Sequence, residues 1–107
     1  MTGEALMRVT FVQSGGLVGA VRGCELDSAT LGSAAARELE ELVRSSGLSA
    51  SGEFRTAGAR DLREYAITVE DGARRIHVHF DDRTLPAGLR ALVSFLRRSS
   101  TARSAGP

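Results

Sequence analysis

Cys24 is the only cysteine, so no internal disulfide can staple this chain, and a reducing compartment is the simpler expectation. No apolar stretch approaches the ~20 residues needed to cross a bilayer. The N-terminus has no basic segment leading into an apolar run, the mark of a secretory signal. Charge of one sign is also scarce: 14 Lys and Arg stand against 13 Asp and Glu, a formal charge of +1. That balance gives neither nucleic acid nor an anionic membrane a reason to bind. A nucleophile with a partner base, a general acid–base constellation and a cofactor fingerprint are missing too. The expectation is a cytoplasmic, non-enzymatic domain that needs no cofactor and no metal.

What is present suffices for one core. A chain of 107 residues and 11.3 kDa buries roughly 65% of its extended surface on folding. Hydrophobic residues at 42% and charged residues at 25% are ordinary globular usage. Residues 1–6 carry no strand pattern and read as a flexible extension, with Met7 a second candidate start. Residues 7–98 read as a single domain. Residues 99–107 are small, polar and slightly basic, and read as a disordered tail.

Met7, Val9 and Phe11 alternate with Arg8 and Thr10, the period of a half-buried strand. Ser14-Gly15-Gly16 then reads as a tight two-residue hairpin turn, and Leu17 to Leu26 as an irregular return strand with a bulge near Gly23. A helix follows, capped by Thr30 or Ser33, with the stripe Leu39, Leu42 and Val43 and a stop at Gly47. Residues 46–60 read as a loop anchored by Leu48 and Phe54. Tyr65, Ile67 and Val69 alternate into Asp71-Gly72, and Ile76, Val78 and Phe80 alternate out of it, a strong hairpin signal. A second helix begins near Pro86, with the stripe Leu89, Leu92, Val93 and Leu96.

Asp27-Ser28-Ala29-Thr30-Leu31 before the first helix echoes Asp81-Asp82-Arg83-Thr84-Leu85 before the second. The expected fold is α+β, a two-layer ββαββα domain with a four-stranded, mostly antiparallel sheet and two helices on one face.

Among candidate sites, His77 and His79 share one strand face, but Ile76, Val78 and Phe80 claim the core side. The histidines are therefore assigned to solvent rather than to a metal. Cys24 lies in no cysteine-protease signature and reads as a small buried thiol. Asp81-Asp82 reads as turn and cap, and Arg74-Arg75 and Arg97-Arg98 as isolated solvated pairs. A phosphate loop at Ser14-Gly15-Gly16 is disfavoured, because a strand and not a helix N-terminus follows it. Two readings of this segment stay open. It is a plain turn, or a contact surface presented to a partner, since Leu17 and Val18 place apolar side chains beside it.

Arg8-Val9-Thr10-Phe11 leading into Ser14-Gly15-Gly16-Leu17-Val18-Gly19 resembles the emfourins, bacterial protein inhibitors of protealysin and related thermolysin-like zinc metalloproteases. Tyr65-Ala66-Ile67-Thr68-Val69-Glu70-Asp71-Gly72 and Leu85-Pro86-Ala87-Gly88-Leu89-Arg90-Ala91-Leu92 extend the resemblance across residues 7–98. It departs at Gln13, where a basic residue is expected. The resemblance implies inhibition of a thermolysin-like protease. A pre-ordered glycine-tipped hairpin with apolar neighbours leads to the expectation of a tight 1:1 complex centred on Ser14, Gly15, Gly16, Leu17 and Val18, with the chain a monomer when free. The rival reading is a non-catalytic interaction module, such as a homodimer paired through an edge strand.

Overall fold

The computed structural model describes residues 7–15, 21–58 and 61–103, with side chains described as far as Ser100. Residues 1–6, read above as an extension, and residues 104–107 lie outside the described residues. Two helices cover one face of a six-stranded sheet, whose order is β3-β5-β4-β1-β2-β6. In chain order the elements are β1 (Met7–Gly15), β2 (Val21–Asp27), α1 (Ser33–Ser45), β3 (Gly52–Phe54), β4 (Arg63–Asp71), β5 (Arg74–Asp81), α2 (Arg90–Arg98) and β6 (Thr101–Arg103). A 3₁₀ turn over Ala87–Leu89 leads into α2, with Pro86 at its N-cap.

The α+β class and the two helices agree with the sequence reading; the strand count and order do not. Four strands in a ββαββα order become six, because β3 and β6 are added at the two sheet edges. β3 pairs parallel to β5, from Gly52↔Val78 to Phe54↔Phe80, and β6 pairs antiparallel to β2. Each is three residues long, too short to display an alternation. β6 falls within the stretch read as a tail.

Three local expectations are also corrected. Gln13 pairs with Arg22, whereas a two-residue Gly15-Gly16 turn would pair it with Val18. No bulge forms at Gly23, since the β1–β2 register runs unbroken from Arg8↔Asp27 to Gln13↔Arg22. α1 is capped by Gly32 with no side-chain hydrogen bond, not by Thr30 or Ser33. Instead the Thr30 hydroxyl donates to the Asp27 carbonyl at 3.0 Å.

The alternating residues build the core as the period requires. Met7, Val9 and Phe11 of β1, Tyr65, Ile67 and Val69 of β4, and Ile76, Val78 and Phe80 of β5 all face the helices. Leu39 from α1 and Leu92, Val93, Phe95 and Leu96 from α2 close over them, and Leu42 and Val43 pack at the margin. Each large side chain so buried contributes roughly 1.5–3 kcal/mol. β4 and β5 turn at Gly72-Ala73, one residue beyond Asp71-Gly72, because Asp71 pairs with Arg74. Gly72 takes φ +63° while Ala73 stays negative, the pattern of a II′ turn.

The sequence echo is also a structural one. Ala29 N–H donates to Asp27 Oδ1 at 2.9 Å, and Arg83 N–H donates to Asp81 Oδ1 at 2.8 Å. Ser28 N–H donates to the Met7 carbonyl, as Asp82 N–H does to that of Arg63. In return Met7 N–H donates to Ser28 Oγ and Arg63 N–H to Asp82 Oδ2, both at 3.0 Å. The β1–β2 and β4–β5 hairpins thus sit side by side as related halves, joined through antiparallel β1 and β4 with Phe11 opposite Ile67 near the middle.

Candidate functional site: the Gly15 end of the sheet

One end of the sheet gathers residues from several parts of the chain. β1 reaches it at Gly15, opposite Arg63 at the start of β4. β5 reaches it at Asp81, opposite Glu64. Ser14 is half-buried and Gly15 exposed. Of the expected contact residues, these two are placed here; Gly16, Leu17 and Val18 lie outside the described residues.

Gly15 has two reasons to be glycine. Its φ of +86° lies in the left-handed region. A Cβ there would also stand 2.8 Å from the Leu62 carbonyl oxygen. The end of β1 is therefore clamped against the segment leading into β4.

Beside it, Glu53, Arg55, Thr56, Ala57, Gly58, Leu62, Glu64 and Asp81 line a cleft of about 390 Å³. Asp81 organises this region. It is 2% exposed, and its carboxylate accepts from the backbone N–H groups of Thr56, Arg83 and Thr84 and from the Thr84 hydroxyl. Burial alone would raise its pKa, but these donors outweigh it and hold the carboxyl at about 2. Asp82 is likewise lowered: burial pushes it up, while the Tyr65 hydroxyl at 2.5 Å and the Arg63 backbone N–H draw it down further. Burial, then the same hydrogen bond to Asp82, raises Tyr65.

These shifts fix the sign of the acid response. A carboxyl titrating near 2 in the folded chain and near 3.8 when unfolded stabilises the fold fully above about pH 5. That contribution fades as pH falls from about 4 through about 2. Thermal melts from pH 6 to pH 2 should therefore show a drop in this window. The drop should be smaller in Asp81→Asn, which melts lower at neutral pH. Equal slopes for the two proteins would dismiss Asp81 as the cause.

The histidines lie on the sheet face away from the helices, as expected. His77 Nδ1 is 2.7 Å from the Thr68 hydroxyl, and His79 Nε2 is 2.9 Å from Glu64 Oε1. Among the described residues, no group of three or more His, Cys, Asp or Glu side chains is arranged to hold a metal ion. Cys24 is buried, its Sγ 3.5 Å from the Leu96 carbonyl oxygen. Phe54 stacks on Phe80, ring centroids 5.2 Å apart, while remaining 47% exposed.

Residues 55–58 join Leu62, Glu64 and Asp81 in one cleft because they follow β3, whose parallel pairing with β5 no spacing in the sequence signals. Gln13, the departure from the expected basic residue, is 9% exposed, and its Oε1 accepts no hydrogen bond among the described residues. An orphaned buried acceptor costs about 1–3 kcal/mol. Gln13→Met keeps the side-chain length and removes the polar atom, so its melting temperature should rise. An unchanged or lower value would mean that the amide is satisfied in solution.

No helix among the described residues is long and apolar enough to cross a membrane. No curated protein and no solved structure matches this chain. A sequence model of the Emfourin family matches residues 11–97, spanning both hairpins and both helices. The chain therefore belongs to the emfourins, an inhibitor family directed at metalloproteases.

Proposed function

We propose that this chain inhibits a protealysin- or thermolysin-like zinc metalloprotease by occluding its active-site cleft in a tight 1:1 complex. Ser14, Gly15, Gly16, Leu17 and Val18 form the centre of the contact. The observation that carries this reading is the family match across residues 11–97, joined to a strand end clamped at Gly15. A zinc protease holds its substrate extended and attacks it with metal-bound water. An inhibitor fills that cleft best with a segment whose ordering cost is already met by its own fold. Glycine lets backbone approach the cleft walls closely, and Leu17 or Val18 supplies an apolar side chain for a subsite. The sheet edges β3 and β6 are short and offer little for edge-to-edge pairing, which supports a free monomer over the homodimer reading.

The test is a titration of a thermolysin-like protease with the purified chain, using a short peptide substrate. Activity should fall linearly to zero at one equivalent; full activity at micromolar inhibitor ends the proposal. Leu17→Asp should weaken binding about 30-fold, or about 2 kcal/mol. Inhibition unchanged by both Leu17→Asp and Gly16→Val would move the contact to a neighbouring loop, with residues 46–60 the next candidate.

A further inference from the structure

Arg22 of β2 and Ser94, Arg97 and Arg98 of α2 line a cleft of about 410 Å³. Arg8, Arg44, Arg55, Arg63 and Arg75 each lie within ion-pairing distance of a carboxylate. Among the described residues Arg22, Arg97 and Arg98 have no such partner, and neither do Arg37, Arg74, Arg83 and Arg90; what sets the first three apart is that they converge on one cleft. Like charges gathered without a counter-charge repel one another. The helix dipole accounts for Arg97 and Arg98, which occupy the last turn of α2. It does not account for Arg22, which comes from a strand and faces the same cleft. Arg98 is further held by the Phe95 ring, its guanidinium carbon 5.9 Å from the ring centroid. Arg22 pairs with Gln13, so the cleft opens beside the end of β1 that carries Ser14 and Gly15.

We propose that the Arg22–Arg97–Arg98 cleft docks carboxylates on the surface of the protein that this chain inhibits, flanking the contact made by residues 14–18. The inference rests on the inhibitory reading and adds the chemistry of the partner's rim: an acidic patch next to the protease cleft. Guanidinium groups suit carboxylates because each offers paired N–H donors in a plane. Three arginines on a chain of net charge +1 make too small a stripe for nucleic acid. Charges of this kind act mainly on the rate of association and on its salt dependence.

The experiment measures the rate of protease inhibition from low to high salt for three proteins. They are the wild type, the triple variant Arg22→Gln/Arg97→Gln/Arg98→Gln, and a charge-matched control, Arg37→Gln/Arg74→Gln/Arg90→Gln. Thermal melts of all three establish that each is folded. The cleft variant should associate about tenfold more slowly at low salt and with a shallower salt dependence, while the control behaves as wild type. Equal rates and equal salt slopes for cleft variant and wild type would overturn the docking site while leaving inhibition standing. A wild type that fails to inhibit overturns the inhibitory reading itself, and this inference with it. Duplex DNA bound by wild type and released by the cleft variant would overturn the assignment to a protein partner.

Discussion

Gly15→Ala should cost about 2–4 kcal/mol of stability and weaken protease inhibition at least 30-fold. Two penalties add at this position. An L-residue at φ +86° is strained by about 1–2 kcal/mol. The new Cβ then meets the Leu62 carbonyl at 2.8 Å, and a backbone atom joined directly to the paired Arg63 gives way poorly. Gly47 provides the control. Its φ is +83°, but nothing lies within 4 Å of the position its Cβ would take. Gly47→Ala should therefore carry the strain alone, about 1–2 kcal/mol, and leave inhibition intact. Denaturant titrations of both variants, paired with inhibition constants under folded conditions, separate the two terms. If Gly15→Ala costs no more than Gly47→Ala, the clamp against Leu62 does not hold β1.

Phe11→Ala should cost about 3–5 kcal/mol and lower the melting temperature by roughly 15–30 °C. Phe11 is fully buried, pairs with Cys24 and Ile67 on its two sides, and stacks with Tyr65 at 6.4 Å between ring centroids. Val12→Ala, on the open sheet face, should cost less than about 1 kcal/mol. Because Phe11 and Ile67 are direct partners, Phe11→Ala and Ile67→Ala should be non-additive. A Phe11→Ala melt within a few degrees of wild type would mean that the halves are not joined through this pair.

How much of this was legible in the sequence depended on the length of each pattern. Tyr65–Val69 and Ile76–Phe80 announce themselves because their alternation runs for several residues and buries one face completely. The stripe Leu89, Leu92, Val93 and Leu96 does the same at helical spacing. The Gly15-Gly16 turn misled because glycine signals a special φ without saying why. At Gly15 the reason is close approach to Leu62, not a two-residue reversal. β3 was illegible because a three-residue strand draws its identity from its parallel partner, β5. The grouping of Arg22 with Arg97 and Arg98 was invisible for the same reason: residues far apart in the chain meet only once α2 lies against β2.

The kinship of the two hairpins bears on where this body can change. Both share the same aspartate-anchored corner, yet one reverses in the Gly72-Ala73 turn while the other leaves residues 14–21 between its last paired positions. Since β1 and β4 run in opposite directions, the trimmed reversal and the long one lie at opposite poles. Insertions or exchanges confined to residues 16–20, which leave the Gly15 clamp and the paired strand ends untouched, would preserve the frame, so new targets can be explored at one pole while the other stays fixed.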